Sequence, residues 1–158
     1  MLIIRSFEPS DAKAISALIG YTMRISNSAD YPLERLQPLI DYFSPEKLCR
    51  LNRERICLVA ELDEHVVGTI AVEHDELLTF FVHPDYQHQG IGSALLANIE
   101  DLAAQQGIMM LHVESSLTAM AFYEHHDYQR TGVEKEGSAG RQIFMEKEID
   151  LKIDINRD

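Results

Sequence analysis

A strand, a glycine loop, a helix and a second strand follow one another in the middle of the chain, and this order constrains the fold most. The apolar run Leu77–Val82 leads into a loop that contains Gly90 and Gly92. A stretch of helical period, Ile91–Gln106, then leads into a second apolar run, Ile108–Val113. Because a helical crossover joins parallel strands, the sheet must contain one βαβ unit.

The segments on either side of this unit predict antiparallel strands, because their connections are too short for a crossover. The result is an α/β (α+β) fold with a mixed, mostly antiparallel sheet of about seven strands and flanking helices. The predicted strands are Leu2–Ile4, Ile56–Leu62, Val66–Val72, Leu77–Val82, Ile108–Val113, Tyr128–Val133 and Gln142–Ile149, the last two joined across Gly137–Gly140.

Apolar spacing and end signals predict the flanking helices. Asp11–Ile19 has one apolar face, and Gly20 is the predicted end of that helix. Ser44 and Pro45 are typical of an N-cap and a first helical residue. Further helices are expected at Leu33–Phe43 and Thr118–His126.

Length and charge narrow the classes of function. The 158 residues fit one domain, 1–158. A net charge of -12 makes nucleic acid an unexpected partner. No apolar stretch has the ~20 residues of a membrane span, and no signal peptide is indicated, so a cytoplasmic protein without a membrane partner is expected. The spacing of Cys49 and Cys57 and of the histidines does not match a metal site.

The glycine loop predicts an anion site. The first N–H groups of a helix have no internal partners, and the helix dipole favours negative charge there. A Walker loop would require a lysine after the glycines, and a dinucleotide fingerprint would require a third glycine in a parallel sheet. Neither pattern fits Gly90-Ile-Gly92, so the residues indicate a pyrophosphate of another kind.

Two motifs in this order resemble the GNAT superfamily of N-acetyltransferases. Gln87-x-x-Gly90-x-Gly92 matches the family's acetyl-CoA motif, Gln/Arg-x-x-Gly-x-Gly/Ala. Ser116–Glu124 is similar to the second motif, Asn-x-x-Ala-x-x-Leu/Phe-Tyr-Glu, which Gly-Phe follows. The chain departs from the pattern at Ser116 and at Asp127-Tyr128. The resemblance covers nearly the whole chain.

The resemblance implies acetyl-CoA as the cofactor and an amine, on a small molecule or a peptide, as the acceptor. The pantetheine arm is expected along the fourth strand and the pyrophosphate at the loop. At position 116 the family usually has asparagine, so any cofactor contact there would be made by the Ser116 hydroxyl in place of the asparagine amide. A homodimer is compatible with the family. The implied cofactor-binding residues are Phe80, Phe81, Val82, Gln87, His88, Gln89, Gly90, Ile91, Gly92, Ser93 and Ser116.

The resemblance also implies catalytic roles. Tyr123 is the expected general acid for the departing thiolate, and the Val82 N–H is the expected donor to the thioester oxygen. The base is left open between Glu76, His112 and ordered water. The segment Tyr21–Leu51 is expected to select the acceptor. The alternative function is a non-catalytic sensor or regulatory domain that binds acyl-CoA.

Overall fold

The computed structural model describes residues 1–29, 31–137 and 140–151, and its seven strands form one sheet with helices on both faces. The strands are β1 (Leu2–Ser6), β2 (Ile56–Leu62), β3 (His65–Glu73), β4 (Glu76–Val82), β5 (Met110–Ser116), β6 (Gln129–Glu136) and β7 (Arg141–Glu148). The α-helices are α1 (Ala12–Ile25), α2 (Leu33–Tyr42), α3 (Pro45–Leu51), α4 (Ile91–Gln105) and α5 (Met120–His125).

The order of the strands confirms the predicted mixed sheet. The order is β1-β2-β3-β4-β5-β7-β6, and the pair β4–β5, which α4 connects, is parallel while the other pairs are antiparallel. The predicted start of β5 at Ile108 is two residues early. The Ile108 N–H donates to the Ala103 carbonyl (3.1 Å) behind left-handed Gly107, so Ile108 still belongs to the end of α4.

The predicted end of the first helix at Gly20 is wrong. α1 continues to Ile25, and the Ser26 N–H still bonds the Thr22 carbonyl (2.8 Å). A Cβ at Gly20 would lie 3.3 Å from Ile40 Cγ2. Gly20 therefore permits the close approach of α2 to α1, which is a packing role and not a terminating one.

Alternate residues of the central strands supply two cores. Leu58 and Ala60 face the layer that contains α4, whereas Val59 faces the layer that contains α1 and α3. Gly68 brings α4 close to the sheet, since a Cβ there would lie 2.9 Å from Leu95 Cδ1. The predicted Ser44 cap is confirmed, because its Oγ accepts from the Lys47 N–H at 3.2 Å.

Two further features bear on the sequence predictions. The tail hairpin of β6 and β7 forms, but Ser138 and Ala139 of its predicted turn lie outside the described residues. Within the described ranges, no helix is both long enough and apolar enough to cross a membrane.

Candidate active site

β4 and β5 separate from each other soon after they pair. Glu76 and His112 are their registered partners, and the two strands then diverge. On its other edge β4 contains a bulge, where Thr79 and Phe80 together occupy the position opposite Ile70. Thr79 has φ 46, which is unusual for a β-branched residue. A bulge bends its strand and ends pairing, so it opens the sheet between β4 and β5.

The Val82 N–H points into this opening. The His83 N–H donates to the Val67 carbonyl on β3 at 2.8 Å. Since N–H groups alternate between the two edges of a strand, the Val82 N–H faces the β5 side. The Val82 carbonyl, on that same side, accepts from Gln87 Nε2 at 3.0 Å.

The side chains of Phe80 and Phe81 pack into opposite layers of the protein. Phe80 lies edge-on to Phe122, with ring centroids 5.5 Å apart, and belongs to the α4 layer. Phe81 packs against the α1 layer. Along this part of β4, the groups available to an extended ligand are therefore mainly those of the backbone.

A cavity of about 270 Å³ occupies the opening. Its wall combines apolar side chains of α1, α2 and β4 with polar groups of β5, α5 and the segment before α2. Among the described lining residues, Glu76 and Glu114 are the charged ones. The other polar side chains in the wall include Asn27, Thr79, Ser116, Tyr123 and Gln142. A more open depression beside Glu124–Arg130 shares no residue with this cavity.

Tyr123 lines this cavity from α5. It is 5% exposed and packs edge-on against Phe80 (6.2 Å) and Tyr128 (5.5 Å). Burial raises the pKa of its hydroxyl well above the ordinary value. No protein group among the described residues accepts from or donates to that hydroxyl. The hydroxyl is therefore protonated near neutral pH and is available to a ligand in the cavity.

Glu76 enters the cavity from the start of β4. Burial raises the pKa of its carboxyl, and the neighbouring charges of Glu114 and Asp75 raise it further. Lys135 and Arg55 oppose this effect. A carboxylate with a raised pKa is a stronger base than an ordinary glutamate, so the site holds a candidate base beside a candidate acid.

His112 lies next to Glu76 in the sheet but does not line the cavity. Its side chain is 43% exposed, and its two ring nitrogens lie 3.6 Å from Asp75 and 3.6 Å from Glu146. Both carboxylates flank the imidazole from outside the cavity. Of the two predicted side-chain bases, only Glu76 lines the same cavity as Tyr123.

The glycine loop presents bare N–H groups. His88 and Gly90 have φ 64 and 83, and Gly90 is the N-cap residue just before α4, where no side chain caps the helix. The first helical hydrogen bond runs from the Ala94 N–H to the Gly90 carbonyl (3.0 Å), so the N–H groups of Ile91 to Ser93 precede it. His88 and Gln89 are exposed, which leaves this end of α4 open to an anion.

Side chains hold the loop in place. Gln87 Nε2 donates to the Val82 carbonyl and to Ser26 Oγ (3.3 Å), which ties the loop to β4 and to the end of α1. Ser93 Oγ lies 3.0 Å from His126 Nε2. Burial, with a contribution from His125, lowers the pKa of His126.

Ser116 has a structural contact of its own. Its Oγ accepts from the Ala119 N–H at 3.2 Å and so stabilises the turn into α5. Asp127 lies just after α5 and has φ 70, which is the left-handed conformation. This agrees with the second family motif, in which glycine is usual at this position.

The segment expected to select the acceptor contributes only part of its aromatic residues to the cavity. Phe43 and Tyr31 line it, whereas Tyr21 stacks on His83 (5.0 Å) and Tyr42 is exposed. The Tyr31 hydroxyl donates to the Arg141 carbonyl (2.8 Å) and accepts from the Leu117 N–H (3.0 Å). Tyr31 thereby closes one end of the cavity.

Three residues of the site escaped the sequence analysis. Glu114 lies two positions after His112 on one strand, and this period-two spacing could have placed it on the same face. Thr79 carries no local signal of its bulge. His126 reaches Ser93 across 33 positions of the chain, a contact that no local pattern predicts.

Residues 53–130 match the family model of the acetyltransferase (GNAT) domain. A GCN5-related N-acetyltransferase from Rhodopseudomonas palustris has a similar structure, with a TM-score of 0.83 and 25% identity over 93% of this chain and 95% of that one. PaiA N-acetyltransferase from Thermoplasma acidophilum, solved in complex with coenzyme A, has a TM-score of 0.80 and 21% identity over 94% and 99% of the two chains.

A relative of similar length has a named acceptor. Spermidine N(1)-acetyltransferase from Thermoplasma acidophilum is 24% identical over 162 residues, which cover 93% of this chain and 97% of the relative.

Proposed function

Because this chain belongs to the GNAT superfamily of N-acetyltransferases, we propose that it transfers the acetyl group of acetyl-CoA to a primary amine by direct attack on the thioester. The observation that carries the proposal is the shared cavity: Tyr123 and Glu76 line one opening, and residues of β4 form part of its wall. A domain that only bound acyl-CoA would not need an acid and a base in the same cavity.

The loop and the open edge of β4 support a CoA site. The N–H groups at the start of α4 would bind the pyrophosphate, and the left-handed Gly90 directs them outward. The β4 edge that β5 leaves unpaired would bind the pantetheine arm as an added strand. Gly92 adjoins Phe122, since a Cβ there would lie 3.4 Å from its ring, so a larger side chain would crowd both the ring and the phosphate.

The residues of the cavity suit each step of the transfer. An alkylammonium has a pKa near ~10 and must lose a proton before attack, which Glu76 would accept. The amine nitrogen then bonds to the thioester carbon, while the Val82 N–H stabilises the charge on the oxygen. When the carbon–sulfur bond breaks, the Tyr123 hydroxyl would give its proton to the CoA thiolate, which forms the free thiol. The acylated nitrogen would then lose its second proton, which restores the Tyr123 hydroxyl and leaves the neutral amide.

The acceptor in this proposal is a cation before it reacts. The charged groups of the cavity wall are carboxylates, and the remaining wall is largely apolar, as an alkylamine requires. A relative of similar length is named for the acetylation of spermidine, which is an amine, and this supports an amine acceptor for the present chain.

The proposal is tested in two steps with the whole chain. Acetyl-CoA should raise the midpoint of thermal unfolding, because a ligand that binds only the native state stabilises it. Free CoA thiol should then appear when a panel of primary amines is added, above the rate of a control without acceptor. An absent thermal shift at saturating acetyl-CoA would refute the CoA site.

The proposal also includes three expectations about setting: one catalytic domain over residues 1–158, a cytoplasmic location, and a homodimer as a compatible assembly. Sedimentation of the purified chain tests the last of these. A monomer at micromolar concentration would exclude a stable homodimer.

A further inference from the structure

We infer that the acceptor is a short diamine whose second ammonium group binds at Glu114 and Phe144. This inference deepens the proposed function and rests on it. It concerns the substrate class, which family membership leaves open.

The protein already places an alkylammonium group at this position. Lys135 Nζ lies 3.0 Å from Glu114 Oε1 and 5.4 Å from the centre of the Phe144 ring. Glu114 and Phe144 are directly opposite each other on β5 and β7. A carboxylate and an aromatic face together provide ionic and cation–π contacts for an ammonium group. Since Lys135 comes from the exposed strand β6, a substrate ammonium could replace it.

Glu114 also belongs to the wall of the reaction cavity, so one ligand can reach both sites. Glu76 and Glu114 line the same cavity and influence each other electrostatically. Two carboxylates in one small cavity repel each other, and a second positive charge on the acceptor would relieve that repulsion in the place of Lys135. An uncharged acceptor tail would leave Glu114 paired with Lys135 and would gain no ionic contact there.

The third element is the buried Tyr123 hydroxyl. It faces the same cavity without a hydrogen-bond partner among the described residues, which indicates that a ligand group is expected there. Tyr123 marks the reacting end of the ligand, and Glu114 marks the distal end.

The separation of the two carboxylates sets the length of the ligand. Glu76 is registered with His112, and Glu114 lies two residues further along β5. Because the strands diverge beyond that pair, strand geometry puts the Cα atoms of Glu76 and Glu114 at least about 8 Å apart. An extended chain of about four carbons between two nitrogens fits between carboxylates so placed. A cavity of about 270 Å³ also admits such a diamine but not a large polycyclic amine.

The test compares putrescine with n-pentylamine, which has the same number of heavy atoms but a terminal methyl group in place of the second ammonium. The measured quantity is the ratio of their kcat/KM values in acetyl-CoA-dependent release of thiol. We expect a ratio of about ten or more in favour of putrescine for the unchanged chain, and a ratio near one for Glu114→Gln. Lys135→Met, which removes the competing ammonium, should lower the KM for putrescine.

Glu146→Gln is the matched control. Glu146 lies on the same face of the sheet, opposite His112, but does not line the cavity, so this variant should keep the preference for putrescine. A ratio near one in the unchanged chain overturns the inference, as does an equal fall in both glutamine variants. Absence of thiol release with every amine, despite bound acetyl-CoA, would instead overturn the proposed function.

Discussion

The Tyr123→Phe substitution should separate chemistry from packing, because it removes one oxygen atom and keeps the ring. A well-placed general acid contributes about 10²–10⁴-fold to a rate. This range corresponds to roughly 3–5 kcal/mol in the activation free energy. We therefore expect kcat to fall by at least about a hundredfold, while the affinity for acetyl-CoA stays close to its original value.

The same substitution should not destabilise the fold. The Tyr123 hydroxyl makes no hydrogen bond to a described protein group, and its ring contacts with Phe80, Phe122 and Tyr128 persist in a phenylalanine. Removing a hydroxyl that opens onto the cavity and has no partner among the described residues should change the free energy of unfolding by at most about 1 kcal/mol. Because the raised pKa keeps the hydroxyl protonated, an alkaline limb of kcat near neutral pH would have to come from another group.

Tyr128→Phe is the matched control for this experiment. Tyr128 is also buried, and its hydroxyl has no hydrogen-bond partner in the part of the chain that the structure describes. Its ring touches Tyr123, but it does not line the cavity. Urea unfolding should report similar stability for both variants, whereas thiol release should fall only for Tyr123→Phe. A kcat within about twofold of the original, or an equal loss in both variants, would refute the acid role.

Three further predictions concern the base, the loop and the fold. Glu76→Gln should lower kcat at least about tenfold. In the unchanged chain, kcat/KM should fall on acidification through a pKa above that of an ordinary glutamate, since the base must be ionised. An acidic limb of kcat/KM at the pKa of an ordinary glutamate would contradict this. Gly90→Ala and Gly107→Ala should each cost about 1 kcal/mol in urea unfolding, because both have φ above 80° and open space, but only the first should weaken acetyl-CoA binding. Arg5→Leu should cost about 2 kcal/mol, because it leaves Asp11 without its bidentate partner. Arg5 lowers the pKa of Asp11, so the stabilisation by this ion pair is present above the pKa of the carboxyl in the unfolded chain and is lost as the pH falls through its lowered pKa in the folded chain. If the destabilisation caused by Arg5→Leu did not become smaller in acid, the ion-pair explanation would be wrong.

The geometry of the glycine loop was predictable because its determinants are local in the chain. Gly90 specifies a left-handed residue at the start of a helix, and the N–H groups that follow are available whatever surrounds them. The short apolar run Leu77–Val82 similarly predicts a strand. Gly20 shows the limit of local rules, since only the approach of α2 explains why a glycine lies in mid-helix.

The wall of the cavity depends instead on contacts between distant parts of the chain. Tyr31 hydrogen-bonds backbone groups of Leu117 and Arg141, which lie 86 and 110 positions away, and no spacing rule links such residues. The bulge at Thr79 likewise arises from the register of β4 against β3. An enzyme family can therefore keep one local cofactor motif while the wall of the acceptor cavity changes with tertiary contacts. In this chain that wall contains two carboxylates, Glu76 and Glu114, and Glu114 already binds a lysine ammonium; the proposed preference for a dication over a simple amine rests on this asymmetry.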